Sequence, residues 1–402
     1  MSPSTTSVRS LPSSPMPAHL DASFSQKADT GLKGSGVEVL HRTLAGLEDF
    51  DLTGRVAYHA DSSYLAGGAY GDIRIGDCAI LGRGRVRVAV KCIRLYLRDN
   101  PEVIKLIERE VRVWSKLNNP NILPLLGYTI EQHGLPALIS EFMDSGTILK
   151  YVQAHPVSDI MHMVLGLVEG ISYLHNSKII HSDIKSDNVL VSQIGEPLIC
   201  DFGISRLIAA SHTRAGHGLQ GQSSTIRGSA RWMSPELLLP SGEHAVHSKE
   251  SDIWAFGMTV YEVLAKRRPY YRLVSDPQVI TSIICGELPR KPRVSQNWPA
   301  QYHLFWDICK ACWTLEPAER PSASHLASVL KAFAHPSPDS GGNELISTIH
   351  RSFNINSEHR RGSSPCRKNR KLPTRRPTYN TFADMGIPGR KLESETRSCI
   401  IM

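Results

Sequence analysis

Five polar residues could do chemistry together: Lys91 at a strand centre, Glu110 on a helical pattern, and Asp183, Asn188 and Asp201 near strand ends. Lys91 sits in the centre of Val88-Ala-Val-Lys91, a β-branched alternating run. A lysine there is costly unless its charge is matched. Glu110, on the helical pattern that follows, is the expected match, and the pair would hold phosphates. Asp183 and Asn188 belong to Ile180-His-Ser-Asp-Ile-Lys-Ser-Asp-Asn-Val-Leu190, and Asp201 to Ile199-Cys-Asp-Phe-Gly-Ile204. Asn188 and Asp201 offer hard oxygens suited to Mg²⁺, which takes few carboxylates and completes its shell with phosphate and water. Asp183 is left to accept a proton from a hydroxyl. Upstream, Leu65-Ala-Gly-Gly-Ala-Tyr-Gly-Asp-Ile73 is a glycine-rich turn whose backbone N–H groups can approach phosphates. Taken alone it reads equally well as a tight hairpin.

The elements that must position these residues follow from periodicity. Val86–Ile93, Ile122–Ile130 and Leu135–Phe142 read as strands. Asn100-Pro101 opens a helical pattern through Val103, Ile107, Val111, Trp114 and Leu117. Ile160–His175, Ile253–Leu264 and Tyr302–Trp313 carry apolar residues at helical spacing. The expected fold class is α+β: a small strand-rich lobe with one main helix, then a larger, mostly helical lobe.

These segments, in this order and spacing, resemble a protein kinase catalytic domain over about residues 62–334. Trp232-Met-Ser-Pro-Glu236 resembles the motif that closes the activation segment. Ser251-Asp-Ile-Trp-Ala-Phe-Gly257 resembles the helix that anchors the catalytic loop through Asp252. Pro317-Ala-Glu-Arg-Pro321 supplies Arg320, the usual ion-pair partner of Glu236. Gly228-Ser-Ala-Arg-Trp232 and Cys312-Trp313 are most similar to the tyrosine-kinase-like group.

The resemblance implies ATP and Mg²⁺ as cofactors and protein substrates. It implies phosphoryl transfer, with Asp183 orienting and deprotonating the acceptor and Lys185 contacting the γ-phosphate. It assigns nucleotide contacts to Ala66, Gly67, Gly68, Gly71 and Ile73 in the glycine-rich loop, and to Ala89 and Lys91, the latter held by Glu110. Asp201 and Asn188 take the metal. The hinge is Glu141 to Met143, with Ser140 as a small gatekeeper. Lys185 and Ser229 mark the Ser/Thr type rather than the tyrosine type. The rival reading is a catalytically silent kinase fold used as a nucleotide-binding scaffold; the presence of all five polar residues speaks against it.

The sequence departs from the family pattern in three places. Ala66 stands where the first loop glycine is expected. Ser182 replaces the Arg that normally pairs with a phosphate on the activation segment. The segment 204–231 is rich in Ser, Gly and His. The second departure implies activity that does not require phosphorylation there.

Composition frames the rest. The chain has 402 residues, 41% of them hydrophobic and 21% charged, with a net charge of +8. Residues 1–36 are rich in Ser and Pro and are expected to be disordered, followed by a short helical lead-in over 37–61. Residues 335–402 read as a disordered basic tail; between Arg351 and Arg376 there are 9 Lys and Arg against 1 acid. Cys399-Ile-Ile-Met402 is a prenylation pattern whose final Met points to farnesyl. One such chain binds membranes marginally, and the basic run supplies a second signal toward an anionic leaflet. The expected location is cytoplasmic and peripheral on a membrane, with nuclear import through Arg367-Lys-Asn-Arg-Lys371 as the lesser alternative. No specific nucleic-acid contact is expected, since few aromatics interleave the basic run. The 8 cysteines are scattered and form no disulfide framework, and no apolar run suggests a signal peptide or a membrane span. Cys309 and Cys312 have metal-like spacing but no matching second pair, and read as buried helix cysteines.

Overall fold

A computed structural model describes residues 44, 46–59, 66–67, 71–93, 110–130, 136–155, 160–201, 229–239, 246–292 and 300–335. Of the lead-in, residues 37–43, 45, 60 and 61 lie outside the described residues; the rest holds a 3₁₀ turn at Glu48–Phe50 before strand β1 (Val56–Tyr58). Leu44 and Leu47 are buried, against Val111, Trp114 and Tyr128. Strands β2 (Ala66–Gly67), β3 (Gly71–Ile80), β4 (Gly84–Ile93), β5 (Leu125–Ile130) and β6 (Pro136–Glu141) complete a six-stranded sheet. Its order is β1-β3-β4-β6-β5, with β2 paired to β3 and every pairing antiparallel.

Alternation along β4 sets the two faces of this sheet. Val88 and Val90 are fully buried against Leu52, Cys78, Ala137 and Ile139. Ala89 and Lys91 therefore point to the opposite face. Register places Ala89 beside Ser140 and Lys91 between Ile73 and Leu138. Residues 110–114 are helical, and Trp114 closes on the sheet through a bond from its indole N–H to the Leu123 carbonyl at 2.6 Å.

The remaining elements are mainly helices: α1 (Ile148–Ala154), α2 (Ile160–Asn176), then the hairpin β7 (Val189–Val191) and β8 (Pro197–Ile199). After these come α3 (Pro235–Leu238), α4 (Lys249–Ala265), α5 (Asp276–Ile284), α6 (Ala300–Cys312) and α7 (Ala323–Ala334). This is the two-lobed α+β arrangement that the pattern implies. Helix α4 is its axis, with fourteen of its seventeen residues buried. Its start is fixed by a reciprocal cap in which Ser248 and Ser251 each accept the other's backbone N–H. Helix α2 lies close to β8 because its facing residues are glycines. A Cβ on Gly166 would come within 2.6 Å of Pro197, and one on Gly170 within 2.7 Å of Ile199. Cys309 and Cys312 are buried on α6, as expected of core cysteines.

Candidate active site

The loop from His181 to Asn188 is held from below by α4. The Asp252 carboxylate accepts the backbone N–H of His181 at 2.9 Å and that of Ser182 at 2.8 Å, and it also bonds His175 Nε2 at 3.0 Å. Ser182 has φ +67, a left-handed conformation that a non-glycine residue holds only when its surroundings enforce it. His181 donates from Nε2 to the Cys200 carbonyl at 3.0 Å and accepts the Asp183 N–H at Nδ1, 3.2 Å away. Both bonds require the neutral imidazole protonated at Nε2. Burial agrees, lowering the His181 pKa against the pull of Asp252.

Asp183 is the hub. Its Oδ2 accepts Lys185 Nζ at 2.8 Å and Asn188 Nδ2 at 3.0 Å, and its backbone carbonyl accepts the same Asn188 amide at 2.8 Å. Lys185 also reaches the Ser229 hydroxyl at 3.2 Å. Asp201 is brought alongside by the bond from Cys200 N–H to the Asn188 carbonyl, 3.0 Å. The Asn188 amide nitrogen is committed to Asp183, which leaves its oxygen to face a cation. With the Asp201 carboxylate this is one amide and one acidic oxygen. That donor set fits a hard divalent ion completed by phosphate and water.

The expected Lys91–Glu110 ion pair is not what the structure shows. Lys91 Nζ bonds Asp201 Oδ1 at 2.5 Å, whereas both Glu110 carboxylate oxygens are buried with no hydrogen-bond partner among the described residues. One ammonium faces two carboxylates, and the direct contact goes to Asp201, whose left-handed backbone (φ +61) turns it inward. Burial would lower the Lys91 pKa, but Asp201 and Glu110 outweigh it and hold the amine charged. Burial would likewise raise Asp201, and Lys91 brings it below the usual range. Glu110 lacks such relief. Burial pushes it up to about 8, with Lys91 opposing only through space.

Of the other expected nucleotide residues, Ala66 pairs with Ile73 and Gly67 with Asp72 across β2 and β3, while Gly71 starts β3 opposite Ile93. Gly68 lies outside the described residues, as does Cys399. At the hinge, Glu141 pairs with Arg83 at 2.8 Å, Phe142 donates its N–H to the Arg87 carbonyl at 3.0 Å, and Met143 is buried. The segment that closes the site is pinned by Arg320, whose guanidinium bonds both Glu236 oxygens at 2.7 and 2.9 Å.

Two residues escaped the sequence reading. Glu262 is fully buried on α4 and accepts Ser186 N–H at 3.1 Å, the Ser186 hydroxyl at 2.8 Å and Trp232 Nε1–H at 2.7 Å. It ties the catalytic loop to the closing segment. Its signal was a lone acid inside the apolar run Met258-Thr-Val-Tyr-Glu-Val-Leu264. Arg231 donates to the carbonyls of Pro269, Tyr270 and Leu273, at 2.8 to 2.9 Å. Nothing local in the sequence marks it.

Comparison with known proteins then decides the family. Residues 61–330 match the family described as protein tyrosine and serine/threonine kinase. The chain belongs to that family. It is similar to serine/threonine-protein kinase dst4 of Dictyostelium discoideum, 28% identical over 277 residues that cover 64% of this chain and 54% of dst4. It is similar to mitogen-activated protein kinase kinase kinase 2 of Arabidopsis thaliana, 32% identical over 56% of this chain and 32% of that protein. It is also 29% identical to ephrin type-A receptor 8 of Rattus norvegicus, over 69% of this chain and 70% of the receptor. The chain spans about half the length of dst4, and only 27% and 40% of the next two Dictyostelium relatives. A kinase domain implies ATP and a divalent metal ion.

Proposed function

We propose that this protein transfers the γ-phosphoryl group of ATP to Ser and Thr hydroxyls of protein substrates. One observation carries the reading: the Asp183 carboxylate is bonded at once to Lys185 and Asn188, while Lys185 reaches on to the Ser229 hydroxyl. Ser229 sits where a hydroxyl helps frame a Ser or Thr acceptor. Identity near 30% to relatives named for serine/threonine and for tyrosine kinase activity leaves the acceptor to these residues.

Asp183 orients the acceptor hydroxyl and takes its proton. Lys185 stands beside it, positioned to stabilise charge that develops on the transferred group. Lys91 carries its charge into the site for the phosphates. Asn188 and Asp201 would hold Mg²⁺, which neutralises phosphate charge when bound. Ala66, Gly67, Gly71 and Ile73 cover the phosphates from the sheet, and Ala89 and Met143 border the base. Because Lys91 bonds Asp201 here, it must share or release that carboxylate when phosphates enter.

The test is transfer of labelled phosphate from ATP to a mixture of casein and histone, with phosphoamino-acid analysis and Asp183→Asn as control. Phosphoserine and phosphothreonine that vanish in the control are expected. Equal signal from both proteins refutes catalysis and favours a scaffold, and phosphotyrosine alone refutes the acceptor assignment.

We also propose that the enzyme works at a membrane surface. The support is the pattern Cys399-Ile-Ile-Met402 together with the basic run Arg367–Arg376. Cys399→Ser in a fluorescent fusion should move the protein from membranes to the cytosol. Identical distributions of wild type and variant sink the proposal.

A further inference from the structure

Beyond the reacting groups, the turn that leaves α4 is strongly cationic. Lys266 caps the helix in a left-handed conformation (φ +51), and the next residues are Arg267, Arg268, Pro269, Tyr270, Tyr271 and Arg272. No acid interrupts them. Arg267 and Arg272 are exposed and lie 5.1 and 5.6 Å from the centre of the Tyr271 ring. Arg272 Nε donates to the Tyr271 hydroxyl at 3.1 Å. Among the described residues, no carboxylate pairs with either arginine. Tyr271 is itself 46% exposed, so the ring and its two guanidinium groups form a surface.

That surface adjoins the catalytic loop. The Arg268 guanidinium is 3.7 Å from the Asp187 carboxylate, in the turn between Lys185 and Asn188. Arg231, in the segment that begins with Ser229, grips the carbonyls of Pro269, Tyr270 and Leu273. The cationic turn is thus braced against the segment beside the acceptor position. Exposed guanidinium groups on a braced turn at the edge of this loop, those of Arg267 and Arg272 without a carboxylate partner among the described residues and that of Arg268 only 3.7 Å from Asp187, suit recognition of carboxylate or phosphate side chains.

We propose that Arg267, Arg268 and Arg272 dock acidic side chains that flank the phosphoacceptor, so that the enzyme selects acidic or already phosphorylated peptides. This rests on the kinase reading above and narrows its substrate class.

The test uses the full chain and two fluorescein-labelled peptides with one Ser, flanked by Asp in one and by Ala in the other. Anisotropy should give about tenfold tighter binding of the Asp peptide, an advantage that falls as salt rises. In R267Q/R268Q/R272Q the advantage should drop below about twofold, with an unchanged melting temperature because the side chains are exposed. Equal affinity of the two peptides for the wild type, or an undiminished preference in the variant, overturns the proposal. Binding is read without turnover, so it decides the surface even if the casein and histone assay fails. Vesicles with and without phosphatidylserine form the last arm. If the triple variant loses vesicle binding while its peptide preference stays intact, the surface serves a membrane and the proposal falls.

Discussion

Replacing Glu262 by Gln isolates the cost of an acid held inside α4. Burial pushes the Glu262 pKa from 4.5 up to about 8, with Asp187 adding to the rise, while the bonds from Trp232 and Ser186 oppose it. A protonated carboxyl fits the geometry, because the Ser186 hydroxyl at 2.8 Å can turn to accept its proton. The amide keeps the same shape and the same bonds. In the wild type, the unfolded chain loses the Glu262 proton above pH 4.5 and the folded protein keeps it until about pH 8. The unfolded state then binds fewer protons, so stability falls as pH rises through that window. The full shift corresponds to at most about 5 kcal/mol. For a domain of this size, about 2 °C per kcal/mol converts it to a difference of up to about 10 °C in melting temperature. Glu110 titrates in the same direction but is present in both proteins and cancels. Differential scanning fluorimetry at several pH values should show Glu262→Gln gaining on the wild type from acid to mildly alkaline pH. A melting-temperature difference that stays constant across that range would falsify the assignment of a neutral Glu262.

Three other perturbations have distinct expected outcomes. Arg320→Ala removes a guanidinium with no exposed side-chain surface that bonds Glu236 and the carbonyls of Glu250, Thr314 and Leu315, and should lower stability by about 3–5 kcal/mol in urea unfolding. Glu110→Leu removes two buried oxygens that lack hydrogen-bond partners among the described residues, and should raise stability by about 1–3 kcal/mol in urea unfolding. Replacing Ser223, Ser224 and Thr225 together by Ala should leave phosphotransfer largely intact, since Ser182 offers no cation to a phosphate there; a collapse to background in a radiolabel assay refutes that reading.

Much of this site was legible because its chemistry is carried by short local patterns. The alternation of Val88, Ala89, Val90 and Lys91 already stated which side chains share a face. The spacing from Asp183 to Asn188 is one tight turn, so their hydrogen bonds are local. Asp252 and the Glu236–Arg320 pair were accessible through resemblance to a family. Contacts that depend on side-chain choice in three dimensions were not legible. Lys91 has two carboxylates within reach, and nothing in the sequence ranks Asp201 above Glu110. Arg231 bonds only backbone carbonyls, and any residue supplies those.

The two acids of α4 explain how a loop with a strained residue stays in place. Asp252 and Glu262 are ten residues apart, about 15 Å along the helix axis. The first holds the backbone N–H groups of His181 and Ser182, and the second holds Ser186. Asp183, Ile184 and Lys185 are all that lie between the anchors. With both ends tied to one buried helix, this span cannot relax Ser182 out of its left-handed conformation without breaking bonds to a buried carboxylate. The Asp183 carboxylate thus owes its position to two acids buried on α4. Glu262 also accepts Trp232, so a shift at the closing segment reaches Ser186 through a single side chain. Loosening that tie should therefore affect use of the peptide substrate more than use of ATP, because Lys91 and the sheet are held by other contacts.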